Sequence, residues 1–306
     1  MKTKPSILVV GGINSDLILM VDQSPAAGET VMGDVSTANG GKGANQAVAA
    51  ARLGAKVSFV GCVGADENGR RILSSFEQDG IDTAYIKTVP EPTGLAAIVL
   101  EQSGQNRIVV CPGANSCISH ETIEAAMDED IDAVMLQLEI PLETAVFAAH
   151  KAIERGIPVV LDAAPASSIE LERFEGLFII TPNETEAEIL TGIALTDDAS
   201  IRQAAQVLKD RTGAKYTVIK LGSRGSCVYD GNELTYYESY KVTPVDTTAA
   251  GDSYTAALTY EYCRTNEIGS AVQYANAVGA LAVTKLGAQS SLPTANEVEE
   301  FVRGNG

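Results

Sequence analysis

The sequence predicts an α/β protein with a doubly wound, mostly parallel sheet that carries helices on both faces. Short apolar runs typical of buried strands alternate with longer segments whose apolar residues recur at helical spacing. Two pairs of strand-like runs interrupt this alternation and predict a second, smaller sheet. The 306 residues are 45% hydrophobic and 20% charged, as in ordinary globular proteins, so we expect residues 1–306 to form a single folded domain.

The alternation can be followed along the whole first two thirds of the chain. The strand-like runs are Ile7–Val10, Val57–Val63, Ala133–Leu136, Val159–Leu161, Phe178–Ile180 and Thr217–Lys220. The helical patterns are Ala44–Leu53, Glu67–Asp79, Leu142–Arg155, Glu184–Leu190 and Ile201–Arg211. A β-α-β rhythm of this kind implies parallel strands covered by helices.

The two strand pairs that break the rhythm have no helix between their members. They are Leu17–Val21 with Val31–Thr37, and Gly94–Glu101 with Asn106–Cys111, the second pair joined by a hairpin turn at residues 102–105. We expect a small sheet, within about residues 17–37 and 94–111, at the mouth of the main domain. Such a sheet can act as a lid over a ligand or offer an edge to a second copy. Decoration of the main sheet is the other interpretation.

Charge and cysteine content restrict the partners and the compartment. The chain has 40 acidic and 22 basic side chains and a net charge of −18, which disfavours nucleic acid and anionic membranes as partners. Five cysteines without a C-x-x-C pair predict reduced thiols, and the N-terminus lacks a secretory signal, so we expect a cytoplasmic protein. His120 and His150 form no spaced pair and adjoin no cysteine, so no zinc site is predicted.

The strongest chemical signal is the segment Asp246–Tyr254, in which a glycine-containing turn leads into an apolar helical pattern. The first amides of a helix have no partner within it and lie at the positive end of its dipole, so they can hold a transferring phosphoryl group. These are the amides of Ala249, Ala250, Gly251 and Asp252. The Asp252 carboxylate could then accept the proton of a substrate hydroxyl.

A structural interpretation of the same segment is equally open. Thr247 or Thr248 could cap the helix, and Asp252 could merely complement its dipole.

Two segments near the N-terminus are suited to binding a ligand. Gly12–Asp16 follows the first strand at the edge where α/β sheets bind ligands, and Asn14 and Asp16 together could recognise vicinal hydroxyls. Gly40–Asn45 opens a helix, and its glycines allow close approach of the backbone. It is neither a Walker A motif nor a dinucleotide fingerprint, which argues against a dehydrogenase. A polar turn and a tight loop before a buried helix are the alternatives.

Two later segments have both a structural and a functional interpretation. Thr181–Glu186 begins a helix with Asn183 at the N-cap and Glu186 three residues later, which is a capping box. The same side chains could organise phosphate and magnesium-bound water. Leu221–Gly225 follows a strand where a nucleotide can rest on loop backbone, or it is only a turn.

Taken in order, these motifs resemble the ribokinase family of carbohydrate kinases nearly from end to end. They are Gly12-x-Asn14-x-Asp16, Gly40-Gly41-Lys42-Gly43-x-Asn45, Pro182-Asn183-x-x-Glu186 and Asp246-Thr-x-Ala-Ala-Gly-Asp252. The resemblance implies ATP-dependent phosphorylation of a small sugar, with D-ribose at O5 as the first expectation. Deoxyribose, fructose or a nucleoside as substrate, and a non-catalytic sugar-binding regulator, are the alternatives. A regulator would normally lose Asp252 or Gly251, and both are present.

The resemblance also implies which residues bind the sugar, which bind ATP and which bind a cation. The sugar would lie among Asn14, Asp16, Gly40, Gly41, Lys42, Gly43, Asn45 and Glu139, beside the base Asp252. ATP would contact Asn183, Lys220, Leu221, Gly222, Ser223, Arg224, Gly225, Gly251 and Asn276, with Glu186 acting on Mg²⁺ through water. A K⁺-type cation would be held, largely by backbone oxygens, at Asp246, Thr248, Ala282, Lys285, Gly287 and Ser291. Two lids would pair in a homodimer.

Four positions depart from the family pattern. Ser253-Tyr254 stands where Thr-Phe is usual, and Thr248 stands where an aliphatic residue is common. Lys220 occupies a position where threonine is familiar, which leaves the nucleotide contact there open.

Overall fold

The structure, a computed structural model, describes residues 2–103, 105–127 and 129–305. Its strands are β1 (Ser6–Val10), β2 (Asn14–Val21), β3 (Asp34–Gly40), β4 (Lys56–Gly64), β5 (Ile86–Val89), β6 (Gly94–Glu101), β7 (Asn106–Cys111), β8 (Ala133–Gln137), β9 (Val159–Asp162), β10 (Ile179–Ile180), β11 (Tyr216–Lys220), β12 (Ser226–Tyr229) and β13 (Leu234–Tyr237). Its α-helices are α1 (Lys42–Arg52), α2 (Glu67–Gln78), α3 (His120–Ala126), α4 (Leu142–Glu154), α5 (Glu184–Thr191), α6 (Asp198–Thr212), α7 (Ala250–Thr265), α8 (Ile268–Ala282) and α9 (Ala295–Asn305).

The larger sheet has the strand order β13-β12-β11-β10-β9-β8-β1-β4-β5 across the described residues. The strands from β11 to β5 pair in parallel, and β12 and β13 add an antiparallel edge. The interior strand β1 is buried along its whole length, as expected for a parallel strand covered on both faces. The predicted doubly wound, mostly parallel sheet is confirmed.

Apolar residues on both faces of this sheet form separate cores. Ile7 and Val9 of β1 belong to a cluster that includes side chains of α1, α7 and α8. Leu8 and Val10 belong to a second cluster, with side chains of α3 and α4. Successive residues of a strand point to opposite faces, so an uninterrupted apolar run supplies both cores. None of the helices in the described part of the chain has the length and apolar character needed to cross a membrane.

The smaller sheet has the strand order β3-β2-β6-β7 and is separate from the larger one. Strands β2 and β6 are parallel, and each has an antiparallel partner on its outer side. The interpretation of these strands as decoration of the main sheet is therefore wrong. Strand β2 begins at Asn14, three residues before its predicted start, so the Gly12–Asp16 motif runs into the small sheet. Part of the predicted turn at 102–105 lies outside the described residues, because Gly104 is not described.

Candidate active site

A cavity of about 710 Å³ opens beside the N-terminus of α7, where the carboxyl ends of the parallel strands meet. Asp162 ends β9 and Lys220 ends β11, and both side chains line the cavity. Asp252 of α7 and Asn183 at the start of α5 also line it. This is the edge where open α/β sheets bind ligands.

The N-terminus of α7 presents free amide groups to this cavity. Ala249 is the N-cap and has a left-handed backbone, with φ of 59°, and no side chain caps the helix. The interpretation that Thr247 or Thr248 caps it is therefore wrong. The Ala250 amide donates to the Thr247 carbonyl at 3.2 Å. Across the described residues, the amides of Gly251 and Asp252 donate to no protein acceptor, so they are available to an anion.

The Asp252 carboxylate is 5% exposed and lines the same cavity. Asn45 Nδ2 donates to Asp252 Oδ2 at 2.9 Å, and Gln46 Nε2 lies 3.5 Å from Oδ1. Both donors belong to α1, which the Gly40–Asn45 loop opens and which packs against α7. The carboxylate therefore stands beside the free amides, held mainly through one of its oxygens.

A second group of polar side chains surrounds the beginning of β2. The backbone amide of Lys42 donates to Glu139 Oε2 at 2.8 Å, and Asn14 Nδ2 lies 3.5 Å from the same oxygen. Asn115 Nδ2 donates to Asn14 Oδ1 at 2.8 Å, and Asn115 Oδ1 accepts from the Ile13 amide at 2.9 Å. Asn115 was not predicted from the sequence. Because it donates to the side-chain oxygen of Asn14, it turns the side-chain nitrogen of Asn14 toward Glu139.

Asp16 lies on β2 opposite Ala38 of β3 and Ala96 of β6. Its carboxylate occupies the space above Gly40, where a Cβ atom would come within 2.2 Å of Asp16 Oδ2. Burial, together with the smaller effects of the neighbouring Glu139 and Asp252 carboxylates, raises the pKa of Asp16 to about 7. The protonation of Asp16 therefore changes near neutral pH.

Lys42 supplies positive charge between these carboxylates. The pKa of its ammonium is raised, chiefly by Asp252, although burial opposes the shift. Burial raises the pKa of the Glu139 carboxyl, and its hydrogen bond from the Lys42 amide opposes that effect. Lys42 also lines the cavity, and its ammonium interacts electrostatically with both the Asp252 and the Glu139 carboxylates.

On the opposite side of the cavity, Asn183 and Glu186 form the predicted capping box of α5. The Asn183 amide donates to Glu186 Oε2 and the Glu186 amide donates to Asn183 Oδ1, both at 2.8 Å. The box uses one polar atom of each side chain. Asn183 Nδ2 and Glu186 Oε1 make no protein hydrogen bond among the described residues and remain available to a ligand.

Asn276 of α8 lines the cavity as well, but most of its polar capacity is used within the protein. Its Nδ2 donates to the carbonyls of Tyr237 at 3.1 Å and Glu238 at 3.3 Å, and its Oδ1 accepts from Ser226 Oγ at 3.1 Å. The Tyr254 hydroxyl donates to Ser226 Oγ at 2.8 Å. The tyrosine that replaces the usual phenylalanine thus adds an anchor to the wall of the cavity.

A model of the pfkB family of carbohydrate kinases matches residues 4–295. The chain belongs to this family. It is 41% identical to the ribokinase of Haemophilus influenzae over 303 residues, which covers 98% of this chain and 99% of that protein.

Two solved pfkB-family structures share the fold of this chain over 98% of its length and 99% of theirs. One is the ribokinase of Thermotoga maritima, with a TM-score of 0.89 and 37% identity. The other is the ribokinase of Arabidopsis thaliana complexed with ribose and ATP, with a TM-score of 0.90 and 31% identity.

The residues of the Leu221–Gly225 loop and Lys220, assigned to the nucleotide by resemblance to the ribokinase family, divide into two groups. Gly222, Ser223 and Gly225 line the cavity together with Lys220. Leu221 is instead buried in a core cluster with side chains of α6. Arg224 pairs with Glu184 of α5 and is absent from the cavity wall.

The two segments expected to hold a monovalent cation in a pfkB-family kinase come together at Asp246. Asp246 Oδ1 accepts from the Thr248 amide at 2.9 Å, and Oδ2 accepts from the Gly287 amide at 2.9 Å. In the described part of the chain, no group of three or more His, Cys, Asp or Glu side chains is arranged to hold a metal. Any cation here would depend largely on backbone oxygens. The other residues predicted for this site, on the second segment, are Ala282, Lys285 and Ser291.

Proposed function

We propose that this protein transfers the γ-phosphoryl group of ATP to O5 of D-ribose, giving ribose 5-phosphate and ADP, with Asp252 as the base. The observation that carries the proposal is the position of the Asp252 carboxylate, which faces the cavity beside the free amides of Gly251 and Asp252. Membership of the pfkB family and the names of the relatives support the same reaction.

The sugar is proposed to lie between the small sheet and the start of α1. Asn14, Asp16 and Glu139 offer polar atoms to its hydroxyls, and Asn45 Oδ1 is buried without a protein partner among the described residues. A buried acceptor of this kind needs a donor, and a sugar hydroxyl would supply it. A Cβ atom at Gly40, Gly41 or Gly43 would come within 2.8 Å of other protein atoms, so these glycines let the loop pack closely against the groups proposed to bind the sugar.

Asp252 would accept the proton of the attacking hydroxyl as the new O–P bond forms. The amides of Gly251 and Asp252 would hold the negative charge that develops on the transferred group, and Lys42 would add a nearby positive charge. Phosphoryl transfer needs mainly such positioning and charge stabilisation. The amide of Ala250 contributes less than sequence reasoning suggested, because it is engaged with Thr247.

Two cations would assist this arrangement. Mg²⁺ would neutralise the phosphates of ATP, and the free Glu186 oxygen fits a water molecule in its coordination shell. A K⁺-type ion would order the turn before α7, since Asp246 already joins the two backbone segments that would bind it. The K⁺-type ion would order this turn rather than touch the transferred group.

We also propose a homodimer formed through the small sheet, and a cytoplasmic location. The apolar side chains of Val35, Ile108, Val109 and Val110 on the small sheet are exposed, which favours pairing with a second copy. Light scattering that gives the mass of a single chain at micromolar concentration would contradict the dimer. The five free cysteines fit a reducing compartment.

The proposed reaction is tested by measuring ADP release with ribose, deoxyribose, fructose and a nucleoside, with and without potassium. We expect the highest kcat/KM with ribose and a faster rate with potassium. Release of ADP that does not depend on sugar would contradict the proposal. Tight ribose binding by calorimetry without a phosphorylated product would favour a regulator instead.

The raised pKa of Asp16 predicts that sugar binding depends on pH. Below its pKa of about 7 the carboxyl is protonated and loses an acceptor for sugar hydroxyls, so kcat/KM for ribose should fall as pH drops through that value. Asp16→Asn should lower kcat/KM at high pH and remove this limb, measured from about pH 5 to about pH 9. Asp34→Asn, on the neighbouring strand, is the control and should keep it. A limb that persists unchanged in Asp16→Asn contradicts this assignment.

The same pKa affects stability in the opposite direction. Folding raises the pKa of Asp16 from 3.8 to about 7, so the folded state binds the proton more tightly and loses stability as pH rises through that window. Asp16→Asn should therefore raise Tm more at alkaline pH than at acidic pH.

A further inference from the structure

A chain of buried hydrogen bonds runs behind Asp252 and has no place in the mechanism above. Gln46 Nε2 donates to Asp162 Oδ2 at 2.9 Å and lies 3.5 Å from Asp252 Oδ1. Lys220 Nζ donates to the other oxygen of Asp162, also at 2.9 Å. The chain therefore connects the proposed base to the cation at the end of β11.

Gln46 is completely buried and its orientation is fixed from behind. Gln137 Nε2 donates to Gln46 Oε1 at 2.6 Å, so the amide nitrogen of Gln46 must face the two carboxylates. The nitrogen has two hydrogens, one for Asp162 and one for Asp252. Without this shared donor each carboxylate would lose a hydrogen bond that orients it, and the nearby Lys42 ammonium would attract both carboxylates without fixing the position of either.

Asp162 and Lys220 form an ion pair whose side chains are only 2% and 11% exposed. Lys220 Nζ lies 3.5 Å from the point where a Cβ atom on Gly251 would stand. The ammonium therefore lies against the turn that offers its free amides to the cavity. A buried cation this close to the proposed phosphoryl site requires a fixed counter-charge, and Asp162 provides it.

We propose that Gln46 and Asp162 are positioning residues for phosphoryl transfer. Gln46 sets the Asp252 carboxylate, Asp162 sets the Lys220 ammonium beside Gly251, and the bond between them fixes the distance from base to cation. Gln46 does not line the cavity, and Asp162, which does, is proposed to act through Lys220. The inference rests on the proposed kinase function, and it assigns to Lys220 a defined place at the one nucleotide position that departs from the family pattern.

The first test compares Gln46→Met with wild type in single-turnover and steady-state assays. We expect kcat to fall by about 10- to 100-fold, because a base displaced by about 1 Å loses this much rate, while KM for ribose and for ATP changes little. Gln203→Met, at an exposed position of α6, is the matched control and should keep full kcat. A Gln46→Met protein with unchanged kcat, or one whose loss lies entirely in Tm, overturns the proposal.

Gln137→Met provides a second route if Gln46→Met does not fold. It keeps the Gln46 amide but removes the donor that orients it, so a smaller loss of kcat in the same direction is expected. Full kcat in Gln137→Met would contradict the role given to Gln46.

The charge partnership is tested by combining two changes. Asp162→Asn leaves Lys220 without its counter-charge and should lower kcat by at least about tenfold, as misplacement of a catalytic group does. Adding Lys220→Thr removes the stranded cation, so the double variant should be more active than Asp162→Asn with Lys220 intact. If the loss of kcat in the double variant equals the product of the losses in Asp162→Asn and Lys220→Thr measured separately, the two residues are not coupled and the proposal is overturned. If wild type itself releases no ADP with any sugar, the proposed function fails rather than this inference.

Discussion

Asp252→Asn is expected to lower kcat for ribose phosphorylation by about 10²- to 10⁴-fold, which is the usual contribution of a general base. Asparagine has nearly the same shape but cannot take up the proton of the attacking hydroxyl. Because the free amides of Gly251 and position 252 remain, ATP and ribose should still bind. Rapid-quench measurement of ribose 5-phosphate and calorimetry of both ligands check the two halves of this expectation.

The matched control for this change is Asp198→Asn. Asp198 is also an acidic residue in the first turn of a helix, at the start of α6 and outside the cavity. If Asp252 served only to complement the dipole of α7, the two variants would lose similar stability and keep activity. Full activity in Asp252→Asn would remove the base from the mechanism.

Gly41→Ala is expected to cause the second largest effect, by distorting the sugar side of the cavity. Gly41 has φ of 90°, and a Cβ atom there would come within 2.8 Å of both the Asn14 amide nitrogen and the Gly12 carbonyl oxygen. Both obstacles are backbone atoms, which cannot rotate away. We expect a loss of about 2–4 kcal/mol in the free energy of unfolding, by strain and overpacking together. The KM for ribose should rise because Asn14 is displaced.

Gly156→Ala separates strain from crowding. Gly156 follows α4 with φ of 72°, and no atom lies within 4 Å of the position its Cβ would take. This variant should lose about 1 kcal/mol, the cost of a left-handed backbone for a residue other than glycine. Chemical denaturation of both variants measures the difference, and equal losses would show that the close approach to Asn14 and Gly12 is unimportant.

The sequence was most informative where a local pattern determines structure. Strand β1 and helix α1 could be predicted because an apolar run and an alanine-rich helical segment stand beside glycine-rich loops. Helix α8 was missed because it is mainly apolar and its N-cap, Glu267, makes no capping hydrogen bond. The antiparallel edge formed by β12 and β13 was missed as well, because these two short strands follow β11 with no α-helix between them and so do not continue the β-α alternation.

In the site, the residues that could be predicted belong to short continuous motifs. Asp252 was identifiable because the turn, the glycine and the helix that follow one another define its position. Gln46 and Asp162 are 116 residues apart and meet only after folding. Asn115 reaches Asn14 across 101 residues in the same way. Side chains that orient other side chains leave no mark in the local sequence, because their partners lie on distant elements.

Strand β2 contains Asn14 at its first position and Asp16 two residues later, and it pairs with strands of the small sheet along its whole length. The small sheet, which the sequence analysis expects to act as a lid, and part of the proposed sugar pocket thus share one continuous strand. Tilting this strand would move the groups proposed to recognise the sugar. The affinity for ribose and the orientation of the small sheet would therefore change together. Substitutions at the outer edge of the sheet would then alter KM for the sugar without approaching it.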